Sequence, residues 1–246
     1  LTFVNRIQNR YKYRDGGLDF HLLRTMKAYY YACISFVDCQ VGRILDALEQ
    51  TGQAENTLVL FTADHGEMLF DHCTFRKVLP YEGSAHVPFI VRVGSKVLPG
   101  GRPRPRTSDA VVDLMDVMPT LLDLAGVEVP EGVDGSSLRG EITGEKDLGR
   151  AYVHGEHSRD YEQSNQYIVT SHDKYVWFTQ SGVERYFDLD ADPREERDLS
   201  GDPAYAERVA ELRAILIEEL RDREEGYVQD GGLVVGRKPR VVLEQC

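Results

Sequence analysis

The chain is 246 residues long, 41% hydrophobic and 28% charged, enough apolar content to bury a core and too much for a disordered segment. Its formal net charge of −12 argues against a nucleic-acid partner, because proteins that track a phosphate backbone cluster Lys and Arg on one face. No apolar run approaches the roughly 20 residues needed to span a bilayer, so no membrane partner is expected.

The opening stretch LTFVNRIQNRYKYRDGG lacks the apolar centre of a secretion signal, and the first residue is Leu, not Met. That is compatible with a mature protein or with a piece of a longer one, and it assigns no compartment. From Leu22 to Leu48, apolar residues recur in steps of three and four at Met26, Tyr30, Cys33, Val37, Val41, Ile44 and Leu48. The spacing predicts a long amphipathic helix with this stripe packed into the core. Cys33, Cys39, Cys73 and Cys246 form no Cys-x-x-Cys pair, and no disulfide framework is expected.

TLVLFT (57–62) and PFIVRV (88–93) are short apolar runs that predict strands, the first covered on both faces as in the centre of a sheet. The basic stretch GGRPRPR (100–106) alternates Arg with Pro and Gly and reads as a connection. In TSDAVVDLMDVMPTLLDLAGV (107–127) a strand is expected to give way to a helix with Leu121, Leu122 and Ala125 inward and Gly126 as its stop.

After Gly149 the texture changes. AYVHGE, QYIVTS, KYVWFT and ERYFDL are Tyr-, Val- and Phe-rich segments separated by turn residues, the pattern of an antiparallel meander. A last helix between Pro203 and Glu225 places Val209, Leu212, Leu216 and Leu220 on one face. The fold class is therefore α/β with a mostly parallel sheet over residues 1–149, followed by a smaller α+β lobe over 150–246 with an antiparallel sheet and a terminal helix.

The ionisable residues concentrate in FTADHGEMLFDHCTFRKVLPYEGSAHVP (61–88). In open parallel sheets ligands bind beyond the carboxyl ends of strands, which is where Asp64 and His65 fall. Gly66 frees the backbone to turn, so that a neighbouring Asp and His can reach one cation. A carboxylate favours a hard divalent ion, while the imidazole admits softer metals. Two ligands are too few, and the alternative for this pair is a capping Asp beside a surface His in an ordinary turn.

The wider arrangement of NTLVLFTADHGEML, DH, RK, PYEGSAHVPFIV, DLMDVMPTLLDLAGVEVPEGVDGSSL and YFDLDADPREERDL closely resembles the sulfatase family of the alkaline phosphatase superfamily. The resemblance runs in order from about Met26 onward, over the C-terminal portion of the family pattern, and implies an arylsulfatase-like hydrolase with the superfamily's core fold. It implies that Asp64 and His65 bind calcium or magnesium, His65 standing where many sulfatases have Asn. It also implies that Lys77 contacts the sulfate and assists the departing oxygen, since a fixed ammonium stabilises charge more in the transition state than before it. His72, in the DH motif, is implied to line the substrate pocket, with a loop histidine tied to a backbone carbonyl as the alternative. His86 stands where many relatives have Arg and is a substrate-contact candidate with a structural alternative. Glu67 and Glu82 are expected to orient neighbours by hydrogen bonds, and His154, Glu156 and His157 are expected on a polar loop.

The same resemblance calls for a formylglycine nucleophile made within a Cys/Ser-x-Pro-x-Arg motif, and the sequence contains none. Cys73 is followed by Thr74, Phe75, Arg76 and Lys77, which do not fit it. The expectation is a portion of a sulfatase with little turnover alone, dependent on a further N-terminal segment or prone to self-association, acting on a sulfate ester or sulfated glycan. Two alternatives stand beside it: a phosphodiester or phosphonate monoester hydrolase of the same superfamily, and a non-catalytic module.

Overall fold

A computed structural model describes residues 20–157 and 164–240. In chain order the main elements are α1 (Phe20–Gln50), β1 (Leu58–Thr62), α2 (Glu82–Ala85), β2 (Phe89–Val93), α3 (Val117–Leu124) and α4 (Arg139–Thr143). They continue with β3 (Val153–His157), β4 (Asn165–Val169), β5 (Asp173–Phe178), β6 (Glu184–Asp188), α5 (Ala206–Glu219), β7 (Val228–Gln229) and β8 (Gly232–Leu233). They form two compact units. One holds the described residues up to Arg76 with Val87–Thr107 and Leu114–Asp147; the other holds Lys77–His86, Ser108–Asp113 and the described residues from Leu148 onward.

In the first unit β1 and β2 pair with Leu58 opposite Val93 and Thr62 opposite Phe89. One face of this pair, with Leu58, Val91 and Val93, packs on Leu98, Leu124, Val97 and Ile142. Gly94 follows β2 at a close backbone approach: a Cβ there would lie 2.4 Å from the Glu55 carbonyl oxygen, so only glycine fits without movement. The chain after α3 is tied back by side chains that take up otherwise unpaired amides. Buried Asp116 accepts the Ser136 N–H at 2.8 Å, and Thr120 Oγ1 accepts the Leu138 N–H at 2.9 Å.

In the second unit β3 to β6 form an antiparallel sheet in sequential order, and β5 is buried over nearly its whole length. Helix α5 lays Val209, Leu212 and Leu216 against Ile168, Tyr175, Trp177 and Tyr186, and Trp177 meets Tyr227 edge to face at 5.7 Å. Rings in this geometry add attraction beyond the area they bury. Arg208 of α5 clamps both carboxylate oxygens of Asp173 at 2.7 and 3.2 Å, so helix and sheet are joined by a directional contact as well as by burial.

Five expectations are corrected. The β1–β2 pair is antiparallel, not parallel; a parallel pair needs a long crossover, usually helical, and between these strands the only helices are the one-turn α2 and a 3₁₀ turn. β1 is not covered on both faces, because among the described residues no layer lies over Phe61 and its partner Ile90, which are 39% and 60% exposed. The α1 stripe is helical as expected, yet Met26, Tyr30, Cys33, Val37 and Ile44 are exposed and Leu23 is the buried residue of that helix. In α3 the buried residues are Pro119, Thr120 and Leu124, while Ala125 is exposed beyond the helix end; Gly126 does stop the helix, at φ +73. Residues 107–113 have no strand, since no neighbouring strand offers them hydrogen bonds among the described residues. No helix among the described residues is long and apolar enough to cross a membrane.

Candidate functional site

β1 ends at Thr62, and the chain leaves the pair through Ala63 into Asp64 and His65. The two side chains converge, with His65 Nε2 3.4 Å from Asp64 Oδ2, while the Asp64 side chain remains 86% exposed. Asp64 Oδ1 also accepts the His65 backbone N–H at 3.1 Å. His65 Nδ1 lies 2.7 Å from the Gly66 carbonyl oxygen. A carbonyl only accepts, so Nδ1 carries the hydrogen in that contact, which leaves Nε2 as the ring nitrogen nearest the carboxylate.

Two acceptors at that distance repel unless a proton or a cation is shared between them. The donor set, one carboxylate oxygen and one imidazole nitrogen, therefore fits a divalent cation as part of a shell. It is not a complete shell. Among the described residues no group of three or more His, Cys, Asp or Glu side chains comes together at metal-binding separations.

Glu67 closes the loop that follows. Its Oε1 accepts the backbone N–H of Leu69 at 3.2 Å and that of Arg76. The Met68 N–H donates to the Arg76 carbonyl and the Phe70 N–H to the Thr74 carbonyl, each at 2.7 Å. Leu69, Phe70, His72, Cys73 and Arg76 all have positive φ, a concentration of left-handed backbone that non-glycine residues adopt at a cost. His72 sits in the 3₁₀ turn Asp71–Cys73 of this loop and is half-buried.

Lys77 and His86 begin and end a segment built into the second unit. Lys77 is exposed. His86 follows α2, and its Nδ1 lies 2.6 Å from Glu82 Oε2. Glu82 Oε1 accepts from Lys174 Nζ at 2.6 Å. Burial pushes the Glu82 carboxyl up, but the hydrogen bond to His86 and the Lys174 charge outweigh it and hold the group at about 2. The same hydrogen bond raises the His86 imidazole above its ordinary value against the opposing effect of burial. Glu67 thus bonds backbone amides of its own loop, and Glu82 bonds the His86 and Lys174 side chains.

Sequence reading singles out neither Lys174 nor Glu195, although both hold this segment. Lys174 also donates to Pro80 O and Glu195 Oε1, each at 2.8 Å, and Glu195 Oε2 accepts the Glu82 N–H at 2.6 Å. The available signal is weak: one lysine opening the apolar run KYVWF, with its carboxylate partner Glu82 92 residues away. His154, Glu156 and His157 are corrected from a loop to strand β3, because they pair with β4; His154 Nε2 meets Gln166 Oε1 at 2.7 Å and Gln166 donates to Glu156 at 2.9 Å. The rest of that expected loop, residues 158–163, lies outside the described residues.

Residues 3–127 match the Sulfatase family, and residues 70–223 match the family described as N-sulphoglucosamine sulphohydrolase, C-terminal. The chain belongs to the sulfatase family. This sulfatase-family chain is 47% identical over 221 residues to the Arylsulfatase of Clostridium perfringens (strain 13 / Type A), a match covering 90% of this chain and 45% of that protein. The solved structure of BT4656, in complex with its substrate D-glucosamine-2-N,6-O-disulfate, is similar with a TM-score of 0.65 and 28% identity, over 78% of this chain and 40% of that one. The phosphonate monoester hydrolase SpPMH from Silicibacter pomeroyi is similar with a TM-score of 0.68 and 30% identity, over 89% of this chain and 46% of that one. The sulfatase-family chain spans less than half the length of each of these three proteins. The resemblance seen in the sequence and the α/β class both hold.

Proposed function

We propose that this chain supplies part of the active site of a sulfuric ester hydrolase, with residues 1–149 as part of the catalytic core and 150–246 as the C-terminal subdomain. Asp64 and His65 are its divalent-cation ligands, calcium or magnesium, and Lys77 is its sulfate-contacting cation. The observation that carries this reading is the convergence of Asp64 Oδ2 and His65 Nε2 at 3.4 Å just past the end of β1, with His65 Nδ1 held on a backbone carbonyl. A bound divalent cation would supply charge stabilisation to the ester oxygens. The Gly66 carbonyl keeps the proton on His65 Nδ1 and so keeps Nε2 available as a donor atom. Lys77 places a permanent positive charge where negative charge grows on the departing oxygen. His72 and His86 are substrate contacts, His86 through an imidazole whose proton Glu82 helps retain.

A formylglycine does not fit any residue present: the sequence has no Cys/Ser-x-Pro-x-Arg, and no step of this reading runs through it. The substrate class is a sulfated sugar or aryl sulfate, supported by similarity to a protein bound to a glucosamine disulfate. Similarity to a phosphonate monoester hydrolase favours a second reading in which the same residues serve a phosphorus ester.

The test is turnover by the complete protein on an aryl sulfate, an aryl phosphodiester and an aryl phosphonate, with and without EDTA. The expected result is metal-dependent hydrolysis with the sulfate preferred. Preference for either phosphorus ester moves the assignment to the second reading, and no turnover on any of them, together with no divalent-cation binding, supports a non-catalytic module.

A further inference from the structure

The segment that carries Lys77 is anchored by a buried ion cluster, two of whose members, Lys174 and Glu195, take no part in the proposed chemistry. Lys174 lies on β5 with its side chain 1% exposed, and its ammonium meets the Pro80 carbonyl at 2.8 Å, Glu82 Oε1 at 2.6 Å and Glu195 Oε1 at 2.8 Å. An ammonium has three hydrogens, so each has an acceptor. Glu195 is equally dry at 1% exposed, and its second oxygen takes the Glu82 backbone N–H at 2.6 Å. The cluster therefore grips the Pro80–Glu82 backbone by both a carbonyl and an amide.

Stability alone is a poor reason for such a cluster, because well-packed apolar residues often replace buried ion pairs at no loss. What apolar packing does not supply is direction. An ammonium with three fixed acceptors, and a carboxylate that takes an ammonium on one oxygen and an amide on the other, fix the position of the chain they hold. Glu195 is kept at φ +57, a left-handed conformation costly for a non-glycine residue, and that backbone geometry accompanies the reach of its carboxylate to both Lys174 and the Glu82 amide. His86, on Glu82 Oε2, brings a second cation to the two carboxylates when protonated, which leaves the cluster neutral.

We infer that Lys174 and Glu195 are positioning residues for Lys77, fixing the backbone from Pro80 to Glu82 and through it the lysine three positions upstream. This rests on the role of Lys77 given above. Neither residue touches substrate in this assignment; both act through the segment they hold.

The test uses Lys174→Met and Glu195→Gln in the complete protein, with two readouts: amide hydrogen exchange over residues 77–86, and kcat and KM on an aryl sulfate. Exchange in that segment is expected to rise at least about tenfold in both variants while α5 keeps its protection, with kcat falling about 10- to 100-fold, as for partners that orient catalytic groups. KM is expected to change little, because Lys77 acts on charge that develops in the transition state. Glu195→Gln keeps the side-chain shape and carries the test should Lys174→Met fail to fold. Unchanged exchange overturns the inference, and faster exchange with unchanged kcat shows an anchor with no effect on Lys77 and overturns it too. A wild-type protein without turnover overturns the proposed function instead, and there the exchange readout alone decides whether Lys174 and Glu195 fix the segment.

Discussion

Gly155 on β3 stands directly opposite Tyr167 on β4, and a methyl group added at Gly155 would lie 2.1 Å from the tyrosine ring. The ring occupies the space that a side chain on the glycine would need. Burial first, and then the Glu82, Asp113 and Glu195 carboxylates, push the Tyr167 phenol up to about 12, so it stays neutral beside the cluster that holds the Lys77 segment. Gly155→Ala forces the ring or the strand to move, and overpacking of this kind costs about 1–3 kcal/mol. A urea unfolding series should show the midpoint fall with an unchanged slope. An unshifted midpoint would mean that the ring moves aside freely.

His86 and Glu82 link stability to pH in opposite directions. The imidazole is raised in the folded state, so its contribution is complete below the unfolded value of 6.5 and is lost as pH rises through the higher folded value. The Glu82 carboxyl is depressed from 4.5 to about 2, so its contribution is complete above 4.5 and is lost as pH falls toward 2. Wild type should therefore exceed His86→Ala in stability at pH 6, with the gap closing as pH climbs above 6.5. Denaturation midpoints between pH 5 and 9 check this, and a constant gap would show that the charged imidazole is not the source.

Much of the fold was readable because periodicity is local. The α1 stripe predicted a helix over Leu22–Leu48 and the helix spans Phe20–Gln50; the four meander segments became β3 to β6 in order. What sequence did not disclose was the partner of each face. Steps of three and four specify a stripe but not what covers it, so Met26 and Ile44 were expected inside and are exposed. Strand direction was missed for a related reason: an apolar run such as TLVLFT reads the same in parallel and antiparallel pairs, and the connection decides between them. At the candidate site, Asp64 and His65 are neighbours in the chain and were legible as a pair, whereas Lys174, Glu82 and Glu195 meet only through tertiary structure.

Removal of either proposed ligand should separate cation binding from folding. Asp64 is exposed, with its side chain accepting the neighbouring His65 N–H, so Asp64→Ala should shift stability without metal by no more than about 0.5 kcal/mol. Calcium or magnesium affinity should fall by more than the roughly 10- to 100-fold lost with an outer-shell partner. Stabilisation by added metal, about 2.7 kcal/mol at 100 times the dissociation constant, should shrink accordingly. Titration calorimetry of the EDTA-stripped complete protein measures the first quantity, and melting with and without metal measures the second. Unchanged affinity in both Asp64→Ala and His65→Ala would remove the pair from the cation site.

Lys77 offers the clearest separation of chemistry from structure because it is exposed while the groups that hold its segment are buried. Lys77→Ala should lower kcat on an aryl sulfate by about 100- to 1,000-fold, the range for losing one preorganised donor to a developing oxyanion. KM should change less, since a charge that matters most in the transition state contributes little to ground-state binding. Lys77→Arg should restore only part of the rate: the guanidinium keeps the charge but spreads it over a planar fork, so it does not reproduce a compact ammonium at one oxygen. A loss confined to KM would reassign Lys77 to substrate capture, and an unchanged kcat/KM would remove it from the site.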